Sequence, residues 1–217
     1  ASASLKYDFA DWINLTGRVK MDRNNERRER MYDAGTNTLF ASDYGYYSKS
    51  NVESQQLYGE LLLNVNKYFV DNTYNLTVNA GANFENNDYQ SDYFGGKLKS
   101  TANLFTFGNI DTTGENLANQ YGYHMKKRAI FGSAQLGYKS RAYLDATLRN
   151  DWSSTFKGTD TSSFLYGSVG LSGIITDIFP ISSDIMPYMK ARISYSEVGN
   201  SPEVFLAIPT YSLVGGT

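Results

Sequence analysis

The feature of this sequence that most constrains its fold is a regular alternation of apolar and polar residues. The clearest stretch is 74–85. Its apolar positions are Tyr74, Leu76, Val78, Ala80, Ala82 and Phe84, and its polar or glycine positions are Asn75, Thr77, Asn79, Gly81, Asn83 and Glu85. Successive side chains of a β-strand point to opposite faces, so this pattern predicts a strand with one apolar face. Helical periodicity hardly occurs, and the sequence therefore predicts an all-β fold.

The same alternation recurs along the chain and predicts about eight strands in all. The predicted connections between them cover residues 10–11, 23–50, 69–73, 86–122, 139–142, 153–162 and 177–187. Short and long connections alternate, except that the last two are nearly equal in length. An antiparallel meander with short turns at one end and long loops at the other is typical of a transmembrane β-barrel of the outer membrane. A soluble β-sandwich has turns of more even length.

Strand length and aromatic content agree with a membrane-spanning barrel. Tyr58 and Tyr68 are ten residues apart, as are Tyr74 and Phe84. A tilted strand needs about 9–11 residues to cross a bilayer, and aromatic rings mark the two interfaces of such barrels. The chain contains 18 Tyr and 12 Phe. The alternative interpretation is that these rings form the ordinary core of a sandwich.

The two faces of the predicted strands differ in a way that favours a barrel. Several apolar faces carry small residues, namely Gly59, Gly132, Ala134, Ala146 and Gly173. Such residues would leave holes in a close-packed protein core, whereas lipid chains fill them. The opposite faces are rich in amides and charges, and we expect them to line a water-filled lumen. The candidate lumen-lining residues are Asn75, Asn79, Asn83, Arg149, Asp151 and Arg192.

Composition excludes several other classes of protein. The chain has no Cys and one histidine, His124, which argues against thiolate metal sites, metal clusters of histidine and a Ser/His/Asp triad. We expect His124 to be an ordinary residue near the start of a strand, and we predict no enzyme activity, cofactor or metal. The net charge of -2 gives no basis for nucleic-acid binding. No run of apolar residues is long enough for a transmembrane helix.

Aromatic clusters in the predicted long connections are candidate contacts with a ligand or a lid protein. They comprise Tyr44, Tyr46, Tyr47, Tyr89, Tyr93, Phe94 and Tyr121, with Tyr123 beside the last. Rings among Asn, Asp and Ser can stack on sugars or grip a peptide backbone. The same rings would also serve to pack loops against one another, and the sequence leaves both interpretations open.

Two charged segments carry further hypotheses. Residues 23–30 form a run of mixed charge, which indicates a solvated strand extension or loop. Its functional alternative is a contact with lipopolysaccharide phosphates or with a lid protein. At the extracellular end of a later strand we expect Trp152 to be an interfacial ring and Asp151 to form a buried lumen ion pair with Arg149.

Three segments resemble a known family. Residues 149–155, 164–171 and 188–200, which read RNDWSST, FLYGSVGL and YMKARISYSEVGN, resemble the middle-to-late barrel of SusC/RagA-type TonB-dependent transporters from Bacteroidota outer membranes. The resemblance is specific over residues 143–200, looser over 1–85 and absent from the long connections.

The resemblance implies a barrel of about 22 strands with an internal plug. It also implies import of oligosaccharides or peptides, a SusD-like surface lipoprotein as a lid, and energy from TonB. The sequence shows no plug, TonB box or terminal strand, so residues 1–217 are expected to be part of one barrel domain. The alternatives are a passive porin of the same fold and a secreted β-sandwich that binds glycans.

Overall fold

The described part of the chain is one antiparallel sheet. The computed structural model describes residues 1–114, 117–179 and 187–206. Its strands are β1 (Ser2–Ala10), β2 (Ile13–Tyr32), β3 (Tyr46–Phe69), β4 (Tyr74–Lys97), β5 (Ala118–Tyr138), β6 (Ala142–Ser153), β7 (Ser163–Ile174) and β8 (Lys190–Ser196). All eight are neighbours in chain order. The predicted all-β antiparallel meander is therefore confirmed.

The short connections are tight turns, as predicted. Between β3 and β4, Val70, Asp71 and Asn72 have φ of 53°, 49° and 62°. Between β5 and β6, Lys139 and Ser140 have φ of 47° and 55°. Successive residues with positive φ match the twist of antiparallel strands and close a hairpin tightly.

The prediction that residues 23–50 and 86–122 are loops was wrong. Strand β2 continues to Tyr32 and β3 begins at Tyr46, while β4 continues to Lys97 and β5 begins at Ala118. The true connections are therefore 33–45 and 98–117. The reason is that both faces of these strand extensions are polar for several residues, for example over 85–88, so the alternation of hydrophobicity disappears while the backbone pairing continues.

The other connections include single helical turns. A 3-10 turn, Ser154–Phe156, follows β6, and a short helix, α1 (Ile175–Ile178), follows β7. The predicted bounds of β7 and β8 differ from the observed ones by a few residues only. Residues 213–217, which read LVGGT and which we expect from the sequence to form a loop, lie outside the described residues. Within the described ranges, no helix is long and apolar enough to cross a membrane.

The chain divides into two compact units. Unit 1 comprises residues 1–21, 57–86 and 125–217, and unit 2 comprises residues 22–56 and 87–124. In unit 1, the β5–β6 ladder runs without a register shift from Lys127↔Ser153 to Tyr138↔Ala142. This regular pairing fixes which side chains share a face of the sheet.

One face of unit 1 is apolar and uncovered, and we call it the apolar face. Leu61 is 52% exposed, Ile130 60% and Leu165 63%. Of the hydrophobic residues that are buried in the described ranges, only Ala129 belongs to unit 1. A sandwich would bury these rows against a second sheet, and the described residues form a single sheet.

Unit 2 has a small core of its own. Tyr47, Leu98 and Ile110 are its buried centre, and Phe94, Phe105 and Leu117 pack around them. The connection 98–117 supplies most of these side chains. It is therefore folded onto the strand extensions rather than extended into solvent.

Candidate functional site

The face of unit 1 opposite to the apolar face is predominantly polar, and we call it the polar face; Phe131 and Phe164 are apolar side chains on it. It holds the predicted lumen residues of β4 and β6 and further polar residues that the sequence did not single out. Those further residues are Asn14, Arg18, Tyr58, Glu60, Asn64, Ser133, Gln135, Asp145, Thr147, Tyr166 and Ser168. Alternation along each strand places them together.

The predicted ion pair between Arg149 and Asp151 is present, but it is half-buried and not buried as expected. The guanidinium Nη2 lies 2.9 Å from Asp151 Oδ1, and Nε lies 2.9 Å from Oδ2. The Tyr166 hydroxyl donates a 2.6 Å hydrogen bond to the same carboxylate from β7. Arg149 also lies 5.3 Å from the centre of the Phe131 ring. The side chains are 35% and 17% exposed, so the pair is half-buried and within reach of a solute.

A second charged group occupies the polar face at β2–β4. The Tyr58 hydroxyl donates a 2.7 Å hydrogen bond to Glu60. Arg18 Nη1 lies 3.6 Å from the same carboxylate, and the Asn83 side chain lies beside Tyr58. Asn83 is one of the predicted lumen residues, and its amide lies in a polar group that contains one positive and one negative side chain, Arg18 and Glu60.

Amide and hydroxyl pairs connect neighbouring strands elsewhere on this face. The Asn79 amide donates to Ser133 Oγ over 3.2 Å, and the Asn75 amide donates to Asn66 Oδ1 over 2.8 Å. Arg192 is exposed on β8 and stands opposite Ser172 in the β7–β8 ladder. Such groups offer many weak, exchangeable hydrogen bonds to a polar solute.

In unit 2, four of the predicted aromatic contacts lie on one face of the strand extensions, which we call the tyrosine face. The hydroxyls of Tyr46 and Tyr93 are 2.6 Å apart. The Tyr89 ring lies 6.1 Å from Tyr121 and stacks on Tyr123 at 5.3 Å. Tyr89 and Tyr93 are four residues apart on β4 and therefore point to the same side.

The other aromatic candidates have different surroundings. Tyr47 and Phe94 follow Tyr46 and Tyr93 directly, so they point to the opposite side of the strands. Tyr47 is only 4% exposed and forms the small core with Leu98 and Ile110. For these two residues the packing interpretation fits better than a ligand contact. Tyr44 lies in the connection 33–45 and is exposed.

A buried asparagine organises the connection 98–117, and no sequence pattern pointed to it. Asn109 Nδ2 donates to the backbone carbonyls of Thr101 and Leu104 at 2.7 and 3.0 Å. Its Oδ1 accepts from Ser100 Oγ and from the Thr101 backbone N–H at 2.9 and 3.2 Å. Only the folded loop brings these groups together, so no local pattern could have identified Asn109. Nearby, hydrogen bonds from the Thr113 hydroxyl and backbone N–H hold the pKa of the Asp111 carboxyl below its usual value.

The mixed charge run 23–30 is a strand extension, which was one of its two predicted forms. Its charges are largely neutralised within unit 2: Lys49 Nζ lies 2.6 Å from Glu29, and Arg28 Nε lies 2.5 Å from Glu26. His124 pairs with Asp88 on β4 and is exposed. Within the described ranges, no cluster of His, Cys, Asp and Glu is suitable for a metal ion.

Aromatic rings gather at the turn end of unit 1. Phe69 stacks on Tyr74 with ring centres 5.7 Å apart, and Tyr74 contacts Tyr138 at 5.3 Å. Lys67 Nζ lies 4.5 Å from the centre of the Trp12 ring. Trp and Tyr rings at the ends of membrane-spanning strands are typical of a membrane–water interface.

Comparison with known proteins identifies the fold. No protein-family model matches the sequence, and no curated protein sequence matches it. A structure of the RagAB peptide transporter superposes with a TM-score of 0.78 and 19% identity over 92% of this chain. The "open-open" and "closed-closed" states of the RagAB peptide importer give TM-scores of 0.74 and 0.73, each with 18% identity over 90% of the chain. The chain covers 22% of each of those chains. The predicted resemblance to SusC/RagA-type barrels is thus confirmed for the fold: this chain has the fold of one section of the barrel of a RagAB-type transporter.

Proposed function

We propose that the chain forms part of the barrel wall of an outer-membrane importer for peptides or oligosaccharides. The observation that carries the proposal is the contrast between the two faces of unit 1. One is apolar and uncovered, and the other holds a network of charges, amides and hydroxyls. A single sheet with these two faces is stable between hydrocarbon and a water-filled lumen, because its apolar face can contact lipid while its polar face stays hydrated.

Backbone pairing supports a position in a bilayer. The described strands are paired from β1 to β8 in an unbroken order. In hydrocarbon every backbone N–H and C=O needs a partner, and a closed barrel supplies all of them. We therefore propose that β1 and β8 pair with further strands of the same barrel, of about 22 strands in all.

The polar face fits the lumen of an importer rather than a fixed binding site. Arg149 pairs with Asp151 and Arg18 pairs with Glu60, and the amides between these two pairs are only partly buried. A solute can exchange hydrogen bonds with such a wall without tight binding. The tyrosine face of unit 2 adds rings that can stack on a peptide backbone or on sugars. Peptides are the better-supported substrate class, because the similar structures named above are of a peptide transporter.

The remaining parts of the proposal follow the transporters that this barrel resembles. Energy would come from TonB, and a SusD-like surface lipoprotein would act as the lid. We propose no enzyme activity and no cofactor. The long connections would face the cell exterior and the tight turns the periplasm, as in other outer-membrane barrels.

Uptake in whole cells tests this function. Cells that lack the full-length protein should lose uptake of labelled oligopeptides or oligosaccharides, and expression of the protein should restore it. Collapse of the proton gradient should abolish the restored uptake. Uptake that persists without the gradient would instead indicate a passive porin. A full-length protein that stays soluble without detergent would contradict any membrane role.

A further inference from the structure

Two cations lie at the loop end of the apolar face. Arg128 stands directly opposite Trp152 in the β5–β6 ladder. It precedes Ile130 by two residues in a regular strand, so both belong to the apolar face. Lys126 precedes Arg128 by two residues, and its backbone N–H bonds Ser154 Oγ at 3.0 Å. Both cationic side chains are exposed.

These cations have no acidic partner among the described residues. The ion pairs found there involve other bases, including Lys6, Arg18 and Arg149. Arg149 and its carboxylate partner belong to the polar face on the other side of the sheet. Lys126 and Arg128 therefore carry positive charge that is available to a partner outside unit 1.

An open, mostly apolar trough of about 660 Å³ lies on β5, the strand that carries both cations, and on β4, β6 and β7. Asn150, which stands between Ile130 and Leu165 in the sheet, adds one polar side chain to its lining. Small residues line part of it: Gly132, Ala134 and Ala146. Ile130 and Leu165 line it as well and are 60% and 63% exposed. The trough therefore has the shape and chemistry to accept a hydrocarbon chain.

The combination of features indicates the chemistry of the occupant. The two unpaired cations are complementary to an anionic group, and the trough is complementary to an acyl chain. Trp152 has an apolar ring body with one N–H donor, a side chain suited to the boundary between headgroups and hydrocarbon. A molecule with a phosphate headgroup and acyl chains satisfies all three features. A soluble anion would use only the cations, and an uncharged lipid would use only the trough.

We propose that Lys126, Arg128 and Trp152, with the trough, bind lipid A, the phosphorylated glycolipid of the outer leaflet. The inference rests on the proposed function, because that function places the loop end of the apolar face in the outer leaflet. The phosphate contacts the two cations, and one acyl chain occupies the trough. Each basic residue near an anionic lipid headgroup strengthens binding about fivefold.

The chain offers a closely matched control. Lys127 lies between the two cations in sequence and points to the polar face, where its charge acts on Asp151. Replacing it removes the same charge at the same height of the same strand, but on the other side of the sheet. Lys127→Gln should therefore leave lipid A binding unchanged.

The test uses the full-length protein in nanodiscs of phosphatidylcholine that contain a small fraction of lipid A. Native mass spectrometry counts the bound lipid A for the wild type, for Lys126→Gln/Arg128→Gln and for Lys127→Gln. Dephosphorylated lipid A and phosphatidylglycerol are tested in the same way. We expect the double variant to bind lipid A roughly 25-fold more weakly, since two cations are lost. Lys127→Gln should match the wild type, and the other two lipids should bind weakly.

Several results would overturn the proposal. Equal binding of lipid A by the wild type and both variants would show that the two cations do not contribute to binding. Equal binding of dephosphorylated lipid A would remove the role of phosphate, and equal binding of phosphatidylglycerol would refute the glycolipid assignment. Failure of the proposed function gives a different result, because a protein that does not enter the nanodisc retains no lipid of any kind.

Discussion

Arginine placed at successive depths on the apolar face should produce a graded loss of stability. On β3 this face carries Leu57, Gly59, Leu61, Leu63 and Val65. Leu61 is the middle residue of the row. It is four residues from either end, or about 10 Å along the membrane normal for a strand tilted as in known barrels. We predict that Leu61→Arg destabilises far more than Leu57→Arg or Val65→Arg.

The magnitudes follow from depth. An arginine at the bilayer midplane on the lipid side of a barrel costs roughly 2–4 kcal/mol, and the cost falls to about 0–1 kcal/mol near the interfaces. Leu61 is 52% exposed and no described residue covers it, so an arginine there meets the surroundings directly. The control is Asn79→Arg on the polar face. This variant loses the 3.2 Å hydrogen bond to Ser133, which should lower the free energy of unfolding by about 1 kcal/mol. The charge of the new arginine stays in water.

The assay is equilibrium unfolding of the full-length protein from lipid vesicles by guanidinium, followed by fluorescence. We expect a loss of unfolding free energy that is largest for Leu61→Arg and small at the two ends of the row. A cost that does not depend on depth would refute the reasoning. So would an equally large cost for Asn79→Arg, because both faces would then have the same surroundings.

Three further predictions concern packing, charge and loop structure. Gly59→Ala should lower the free energy of unfolding by about 1–3 kcal/mol, because the new Cβ would lie 2.2 Å from Phe84 Cε1. In the same unfolding assay, adding Phe84→Leu to this variant should restore most of the lost stability. Arg149→Gln should lower the free energy of unfolding by about 1 kcal/mol, because the ion pair is half-exposed. Adding Asp151→Asn should lower it little further in the same assay. Fully additive losses would mean that the two side chains do not interact. Asn109→Ala should destabilise the connection 98–117 by about 2 kcal/mol or more, since its four hydrogen bonds are lost; limited proteolysis should then cut this loop faster, and unchanged cleavage would contradict its organising role.

The sequence predicted the strands of unit 1 well because their two faces have different surroundings. Apolar and polar residues alternate from Tyr74 to Phe84, and β4 begins at Tyr74 as expected. The turn at Asp71 and Asn72 was also recognisable, since both residue types tolerate positive φ. The ion pair of Arg149 was predictable because its partner is two residues away on the same face.

The strand extensions of unit 2 were not predictable by the same means. Both faces of β4 beyond Phe84 are polar for several residues, so hydrophobicity no longer alternates while the strand continues. Where aromatic residues return, they occupy both faces: Tyr93 belongs to the tyrosine face and Phe94 to the small core. Residue type alone therefore does not separate candidate ligand contacts from packing residues. Their separation depends on the loop 98–117 that covers one side.

The most direct test of the central claim is solvent accessibility, measured residue by residue along β4. Single cysteines at each position from 76 to 84 of the full-length protein in lipid vesicles would carry a spin label. Collision with oxygen reports hydrocarbon, and collision with a water-soluble nickel chelate reports water. We predict that Leu76, Val78 and Ala82 favour oxygen and that Asn79 and Asn83 favour the chelate. Equal accessibility at odd and even positions, or protection of the even positions from both reagents, would contradict the account.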